Sequence, residues 1–233
     1  MNARDRIIVP LDVGSLDEAR RMIDALSEEI GYFKIGNELF TAAGPDAVRM
    51  VTDAGCRVFL DLKYYDIPNT VAGAVKSAVS LSVDMLNMHI LGGRAMMEGA
   101  VRATRETASP PILLGVTVLT SYDEAGWKET GFSQGVTDAV PELALRAKDA
   151  GLDGVVCSPR EVKDLRRLMG KEFVLVTPGI RPSWAEAQDQ KRIMTPKEAV
   201  AAGSDYLVIG RPITGAADPR EAARRVADEL EVA

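Results

Sequence analysis

Short apolar runs, many of them β-branched, recur along the chain and alternate with longer amphipathic segments. The runs fall at 7–11, 32–35, 57–62, 85–88, 112–118, 154–157, 173–177 and 206–209. Each is too short for a helix and apolar on both faces, the pattern of a parallel strand covered on either side. Between and after them lie segments rich in Ala, Glu, Arg and Lys, at 16–27, 46–54, 71–81, 94–108, 138–150, 159–169, 196–202 and 219–230, which read as helices. Ser15, with Glu18 three residues on, has capping-box spacing for the first of these. Gly55, Gly151 and Gly203 stand where left-handed C-caps would end three others.

Eight strand–helix units in 233 residues predict a (β/α)8 barrel spanning 1–233 as one domain. A doubly wound sheet commonly uses only about five or six strands. Two longer connections, 120–137 and 178–195, follow the C-terminal ends of strands, where barrels build their active sites.

Composition narrows the setting. The chain is 46% hydrophobic and 27% charged, ordinary for a globular protein. It carries 28 Lys and Arg against 34 Asp and Glu, a net charge of −6, which speaks against coating nucleic acid or an anionic membrane. A local basic cluster could still take a small anion. The two cysteines, Cys56 and Cys157, form no CxxC motif, so a disulfide or zinc framework is not expected. With no signal-type apolar segment and no run of about 18 apolar residues, a cytoplasmic location is expected. Met96, Met97 and Cys157 read as core filler. His89, which follows the fourth run, reads as a structural hydrogen-bonder.

Charges at strand ends break the apolar pattern. Asp12 ends the first run, Lys34 lies inside the second, and Asp61 and Lys63 end the third. Any one of these could be a structural ion pair. Together they read as an alternating network, since a lone buried charge is costly. Asp61 and Lys63 are two apart and share a strand face, with Lys34 on the neighbouring strand. Asp66, at an odd offset and just ahead of Pro68, belongs to a loop leaving the mouth and could reach a neighbouring subunit. At the other end of the chain, Arg181 follows the seventh run and Gly210-Arg211 the eighth. Loops at these two positions recurrently bind phosphate in barrels, through backbone N–H groups and a helix N-terminus, and arginine adds a bidentate fork.

Asp61-Leu62-Lys63-Tyr64-Tyr65-Asp66-Ile67-Pro68-Asn69-Thr70 resembles the DxKxxDIPNT signature of the orotidine 5′-phosphate decarboxylases, most of all their bacterial form. Val9-Pro10-Leu11-Asp12, Phe33-Lys34-Ile35-Gly36, Gly115 to Ser121, Thr177-Pro178-Gly179-Ile180-Arg181-Pro182 and Val208 to Thr214 extend the resemblance over essentially the whole chain. DxKxxD alone is shared with a wider group of phosphosugar decarboxylases; the DIPNT extension, with GIRP and GRPIT, is far more specific.

The resemblance implies a homodimeric (β/α)8 barrel that converts orotidine 5′-monophosphate to UMP and carbon dioxide without a cofactor or metal, as the last step of pyrimidine nucleotide synthesis. It implies Lys63 as proton donor within a network of Lys34, Asp61, Lys63 and the partner subunit's Asp66, with Ile67 and Thr70 also crossing the interface. Asp12 and Lys34 would bind the ribose hydroxyls. Thr120 would lie near the pyrimidine. Arg181, Gln190, Gly210 and Arg211 would hold the phosphate; Gln188 competes with Gln190, and the Asp-Gln-Lys-Arg context favours Gln190. Two alternatives stand beside this reading. A Mg²⁺-dependent keto-sugar-phosphate decarboxylase needs added carboxylate ligands, including a Glu that this motif lacks. A silent phosphosugar-binding barrel would not need the intact Asp-Lys-Asp motif. An epimerase with paired metal-binding histidines is set aside because His89 is the single histidine.

Overall fold

The computed structural model describes residues 1–105, 107–185 and 194–231. Eight strands close into a barrel in chain order: β1 (Ile7–Pro10), β2 (Tyr32–Gly36), β3 (Arg57–Tyr64), β4 (Met85–His89), β5 (Ile112–Val116), β6 (Gly154–Val156), β7 (Val174–Pro178) and β8 (Tyr206–Val208). All neighbours are parallel, and β8 returns to β1 through Ile7↔Leu207 and Ile8↔Val208. The helices are α1 (Ala3–Arg6), α2 (Leu16–Leu26), α3 (Asn37–Ala43), α4 (Pro45–Asp53), α5 (Pro68–Ser80), α6 (Arg94–Thr104), α7 (Glu124–Glu129), α8 (Val136–Asp149), α9 (Val162–Met169), α10 (Pro196–Ala202), α11 (Arg211–Thr214) and α12 (Pro219–Glu231). Among the described residues, no helix is long and apolar enough to cross a membrane.

All eight expected strands and all eight expected helices form, with ends displaced by a few residues. The short α1, α3, α7 and α11 and a 3₁₀ turn at Ile90–Gly92 have too few turns to show a helical period and were not expected from it. The connection 120–137 is therefore partly helical. Gly55, Gly151 and Gly203 do take positive φ at the helix ends. Ser15 caps α2 by accepting from the Glu18 N–H, but Glu18 turns to the Ser15 hydroxyl instead of its backbone. The fully reciprocal box belongs to Thr195 and Glu198, ahead of α10 with Pro196 in its first turn.

Strand alternation sets the layers inside the barrel. Ile8, Tyr32, Phe59, Met85, Leu114, Val176 and Tyr206 point inward and fill the floor as one apolar cluster. Outward-facing residues such as Phe33, Leu60, Leu86 and Val155 pack beneath the helices, together with Met96, Met97 and Cys157 as expected. Two residues above Tyr32, Phe59 and Met85 stand Lys34, Asp61 and Asn87. The same inward face that is apolar at the floor thus carries a charged and amide-bearing layer at the mouth.

Candidate active site

Lys34 sits at the centre of an ion chain. Its Nζ donates to Asp12 Oδ1 at 3.1 Å and lies 3.1 Å from Asp61 Oδ2. Asp61 Oδ1 in turn accepts from Lys63 Nζ at 2.7 Å. Lys34 and Asp61 are buried, Lys63 is partly exposed, and Asp12, two residues past β1, is open to solvent. Burial pushes the Asp61 carboxyl up, but the Lys34 and Lys63 ammoniums outweigh it and hold it below the ordinary carboxylate range. Burial likewise works against the charged Lys34, and Asp61 and Asp12 overcome it, so Lys34 is held above the ordinary lysine value. Gly36 leaves room for the pairing: a Cβ there would stand 3.1 Å from Lys34 Nζ and 3.4 Å from Asp12 Oδ1. Asp12, Lys34, Asp61 and Lys63 are thus joined in one chain of ion pairs.

The route by which Lys63 reaches Asp61 differs from simple alternation. The β3–β4 register runs from Leu60↔Leu86 to Tyr64↔Met88, four steps on β3 against two on β4. Within this bulge Lys63 takes φ 51°, a left-handed conformation that costs a non-glycine residue about 1–2 kcal/mol. Its N–H is received by Asn87 Oδ1 at 2.9 Å, and Asn87 Nδ2 donates to Asp61 Oδ1 at 2.6 Å. Asn87 is wholly buried. Sequence reasoning passed over it as part of an apolar run, although an amide two residues above Met85 on an inward face was a readable signal.

On the other side, Lys34 and Asp12 border a cleft of about 460 Å³ that is also lined by Pro10, Gly179, Arg181, Gly210 and Arg211. Gly179, at φ 81°, turns the chain after β7. Arg181 then runs back beside Met194, whose carbonyl accepts its backbone N–H at 3.0 Å. Arg181 is 5% exposed and is thus no solvated surface charge; Arg211, at the start of α11, is exposed. Both expected arginines and Gly210 thus meet in one cleft.

The remaining expected residues lie elsewhere. Asp66, Ile67 and Thr70 are exposed at the start of α5, and Asp66 Oδ1 accepts from the Ile67 N–H. Ile67 is 67% exposed and Tyr65 63%, an apolar pair open to solvent beside the mouth. Thr120 is exposed in the turn after β5 and does not line the cleft. Gln188 and Gln190 lie outside the described residues. His89 packs its ring against Tyr65, at 5.8 Å between centroids. Burial, reinforced by the Lys63 charge against the pull of Asp61, lowers its basicity. Among the described residues, no group of three or more His, Cys, Asp or Glu side chains is arranged to hold a metal ion.

The model of the orotidine 5′-phosphate decarboxylase / HUMPS family matches residues 5–226. The chain is 54% identical to a Syntrophotalea carbinolica protein named orotidine 5′-phosphate decarboxylase, over 100% of this chain and 98% of that protein. It is 53% identical to the Moorella thermoacetica protein of the same name, over 100% of this chain and 94% of the other. Among solved structures, orotidine 5′-phosphate decarboxylase from Lactobacillus acidophilus superposes with a TM-score of 0.85 at 38% identity, covering 96% of this chain and 98% of that one. By sequence and by fold, the chain belongs to the orotidine 5′-phosphate decarboxylase / HUMPS family.

Proposed function

We propose that this protein decarboxylates orotidine 5′-monophosphate to UMP and carbon dioxide without a cofactor, as a homodimer of one-domain barrels. The observation that carries the reading is the continuity from anion end to ammonium end. One cleft joins Arg181, Gly210 and Arg211 to Asp12 and Lys34, and Lys34 is tied through Asp61 to Lys63. A substrate with phosphate at one end, ribose in the middle and a reacting ring at the other fits that sequence of groups. Gln190 would join the phosphate side and Thr120 the ring side. Free thiols at Cys56 and Cys157 are in keeping with a reducing cytoplasm.

The chemistry follows from the charges. As the bond between ring carbon and carboxylate breaks, carbon dioxide leaves and the electron pair stays on the carbon. The Lys63 ammonium stabilises that developing charge and then transfers a proton to the same carbon, regaining its own from solvent. Asp61 keeps Lys63 oriented, and Lys34 helps keep Asp61 ionised. Asp12 and Lys34 would hold the ribose hydroxyls. The partner subunit's Asp66 would complete the network, with Ile67 and Thr70 crossing beside it; the exposed Tyr65 and Ile67 supply an apolar surface for that contact. The family's name also covers HUMPS members. A metal-assisted keto-sugar reaction would need carboxylates open to a cation, whereas both oxygens of the buried Asp61 are here engaged by ammoniums.

The deciding assay follows the absorbance of orotidine 5′-monophosphate with and without EDTA. Turnover that survives chelation is expected; no turnover, or loss restored by Mg²⁺, overturns the proposal. Mixed dimers test the trans role of Asp66. Lys63→Ala and Asp66→Ala proteins should each be inactive, and mixing them, with subunit exchange verified, should restore activity, since one site in each mixed dimer carries neither change. Absent recovery, Asp66 does not act across the interface.

A further inference from the structure

We propose that Asn87 is a positioning residue that holds Lys63 and Asp61 in the arrangement needed for proton delivery; this rests on the decarboxylase reading above. Asn87 lies in β4 between Leu86 and Met88, with none of its surface exposed. A buried amide without partners is costly, so its two bonds define what it is for. Its Oδ1 accepts from the Lys63 N–H at 2.9 Å and its Nδ2 donates to Asp61 Oδ1 at 2.6 Å. Only one orientation of the amide satisfies both partners, because a backbone N–H needs an acceptor and a carboxylate needs a donor.

Each bond does something the strand ladder cannot. The β3–β4 register slips between Leu60 and Tyr64, and the Asn87 side chain takes the Lys63 N–H within that gap, stabilising the left-handed φ of 51°. That backbone angle in turn directs the Lys63 side chain back to Asp61, 2.7 Å away. The second bond fixes how Asp61 is rotated. Asn87 and Lys63 share Oδ1, which leaves Oδ2 toward Lys34 at 3.1 Å. Asn87 therefore assigns one carboxylate oxygen to each lysine without being placed to touch the substrate itself.

The test compares Asn87→Ala and Asn87→Asp with wild type. For Asn87→Ala, kcat for orotidine 5′-monophosphate should fall about 10- to 100-fold, with KM within about threefold, because the phosphate end is untouched. The charged and titratable groups around position 87 are Asp61 and Lys63 on β3, Lys34 on β2 through Asp61, and His89 further along β4. Asn87→Asp keeps the acceptor for the Lys63 N–H but sets a carboxylate against Asp61. Its kcat relative to wild type should rise as pH falls, since protonation restores a donor toward Asp61. A residue serving stability alone would give a constant ratio at every pH where the variant is folded.

A kcat within threefold of wild type in Asn87→Ala, a change confined to KM, or a flat ratio for Asn87→Asp overturns the proposal. Failure of both variants to fold at any pH does so too, by assigning Asn87 to stability alone. An inactive wild type instead overturns the decarboxylase reading. In that case the Asp61 carboxyl titration, followed by carbon NMR in wild type and Asn87→Ala, tests the positioning by itself. It should move upward in the variant, and no movement refutes the role.

Discussion

The two ends of the barrel use aspartates in opposite ways. At the N-terminal rim, Asp84, Asp153 and Asp205 stand one residue ahead of β4, β6 and β8. Each accepts the N–H of the second residue of the preceding strand: Val58 at 2.8 Å, Leu113 at 2.7 Å and Leu175 at 2.8 Å. Each returns its own N–H to the carbonyl of that same residue. The result is a reciprocal clamp repeated on alternate strands. At the mouth, Asp61 meets two ammoniums instead. Burial raises the carboxyls of Asp84 and Asp153, and their backbone donors do not offset it. Burial pushes Asp61 the same way, yet the lysines reverse the outcome. Neutral backbone donors tie Asp84 and Asp153 to the preceding strand, while Asp205 also takes the Arg166 guanidinium at 2.6 Å. Holding a carboxylate ionised beside a reacting centre takes full opposite charges, and the mouth supplies them.

Mutations at the mouth should therefore break chemistry and spare the fold. The largest effect is expected for Lys63→Ala, with turnover down about 10³-fold or more and an unchanged thermal midpoint, since the ammonium supplies both charge and proton. Lys63→Gly sharpens the point. Glycine accepts the left-handed backbone at no steric cost, so this variant should be equally inactive yet melt higher than Lys63→Ala. Activity retained in either variant excludes Lys63 as the proton donor. Next comes Arg211→Ala, expected to lower kcat/KM for orotidine 5′-monophosphate about 30-fold to a few thousandfold. Turnover of orotidine, which lacks the phosphate, should hardly differ between that variant and wild type. Equal losses on both substrates would mean that Arg211 does not grip the phosphate.

How far the sequence could be read differs between the same two ends. The strand and helix periods were sufficient for the barrel because eight apolar runs separated by amphipathic segments leave few topologies. Asp61 and Lys63 were readable as charges at the end of an otherwise apolar strand, and Arg181 and Arg211 as arginines where barrels bind phosphate. The inward position of Asn87 was readable from its spacing to Met85, but its partners were not, because they depend on a register slip that no periodicity encodes. The rim clamps were missed for a related reason. An Asp one residue before a strand looks like an ordinary turn residue until three of them recur on alternate strands. Whether Asp66 acts in its own site or a partner's is a property of the assembly, and the pattern of one chain carries no trace of it beyond an odd offset.

A rim substitution should give the converse of Lys63→Ala. Asp153→Ala leaves the Leu113 N–H without its carboxylate, an expected cost of about 1–3 kcal/mol in urea unfolding. kcat should stay within twofold of wild type, because the clamp lies at the opposite end of the barrel from the lysines. A clear fall in kcat with unchanged KM would show that strain at the rim reaches the mouth, and the division between the two ends would fail.

The smallest effect is on the pH dependence of stability, and its sign separates the ends most directly. Asp153 titrates above its unfolded value, so the folded state binds the proton more tightly. Its contribution is fully present below the unfolded carboxylate pKa of about 3.9 and is lost as pH rises through the higher folded value. Asp61 titrates below its unfolded value. Its contribution is present above about 3.9 and is lost as pH falls through the lower folded value. Asparagine at either position removes the titration but keeps an oxygen acceptor. In urea unfolding from pH 7 down to about pH 3, the advantage of wild type over Asp153→Asn should grow as the solution is acidified. The advantage of wild type over Asp61→Asn should hold down to about pH 4 and shrink below it. Parallel curves for the two variants would show that the lysines at the mouth do not reverse the effect of burial on Asp61, and that both ends hold their aspartates in the same way.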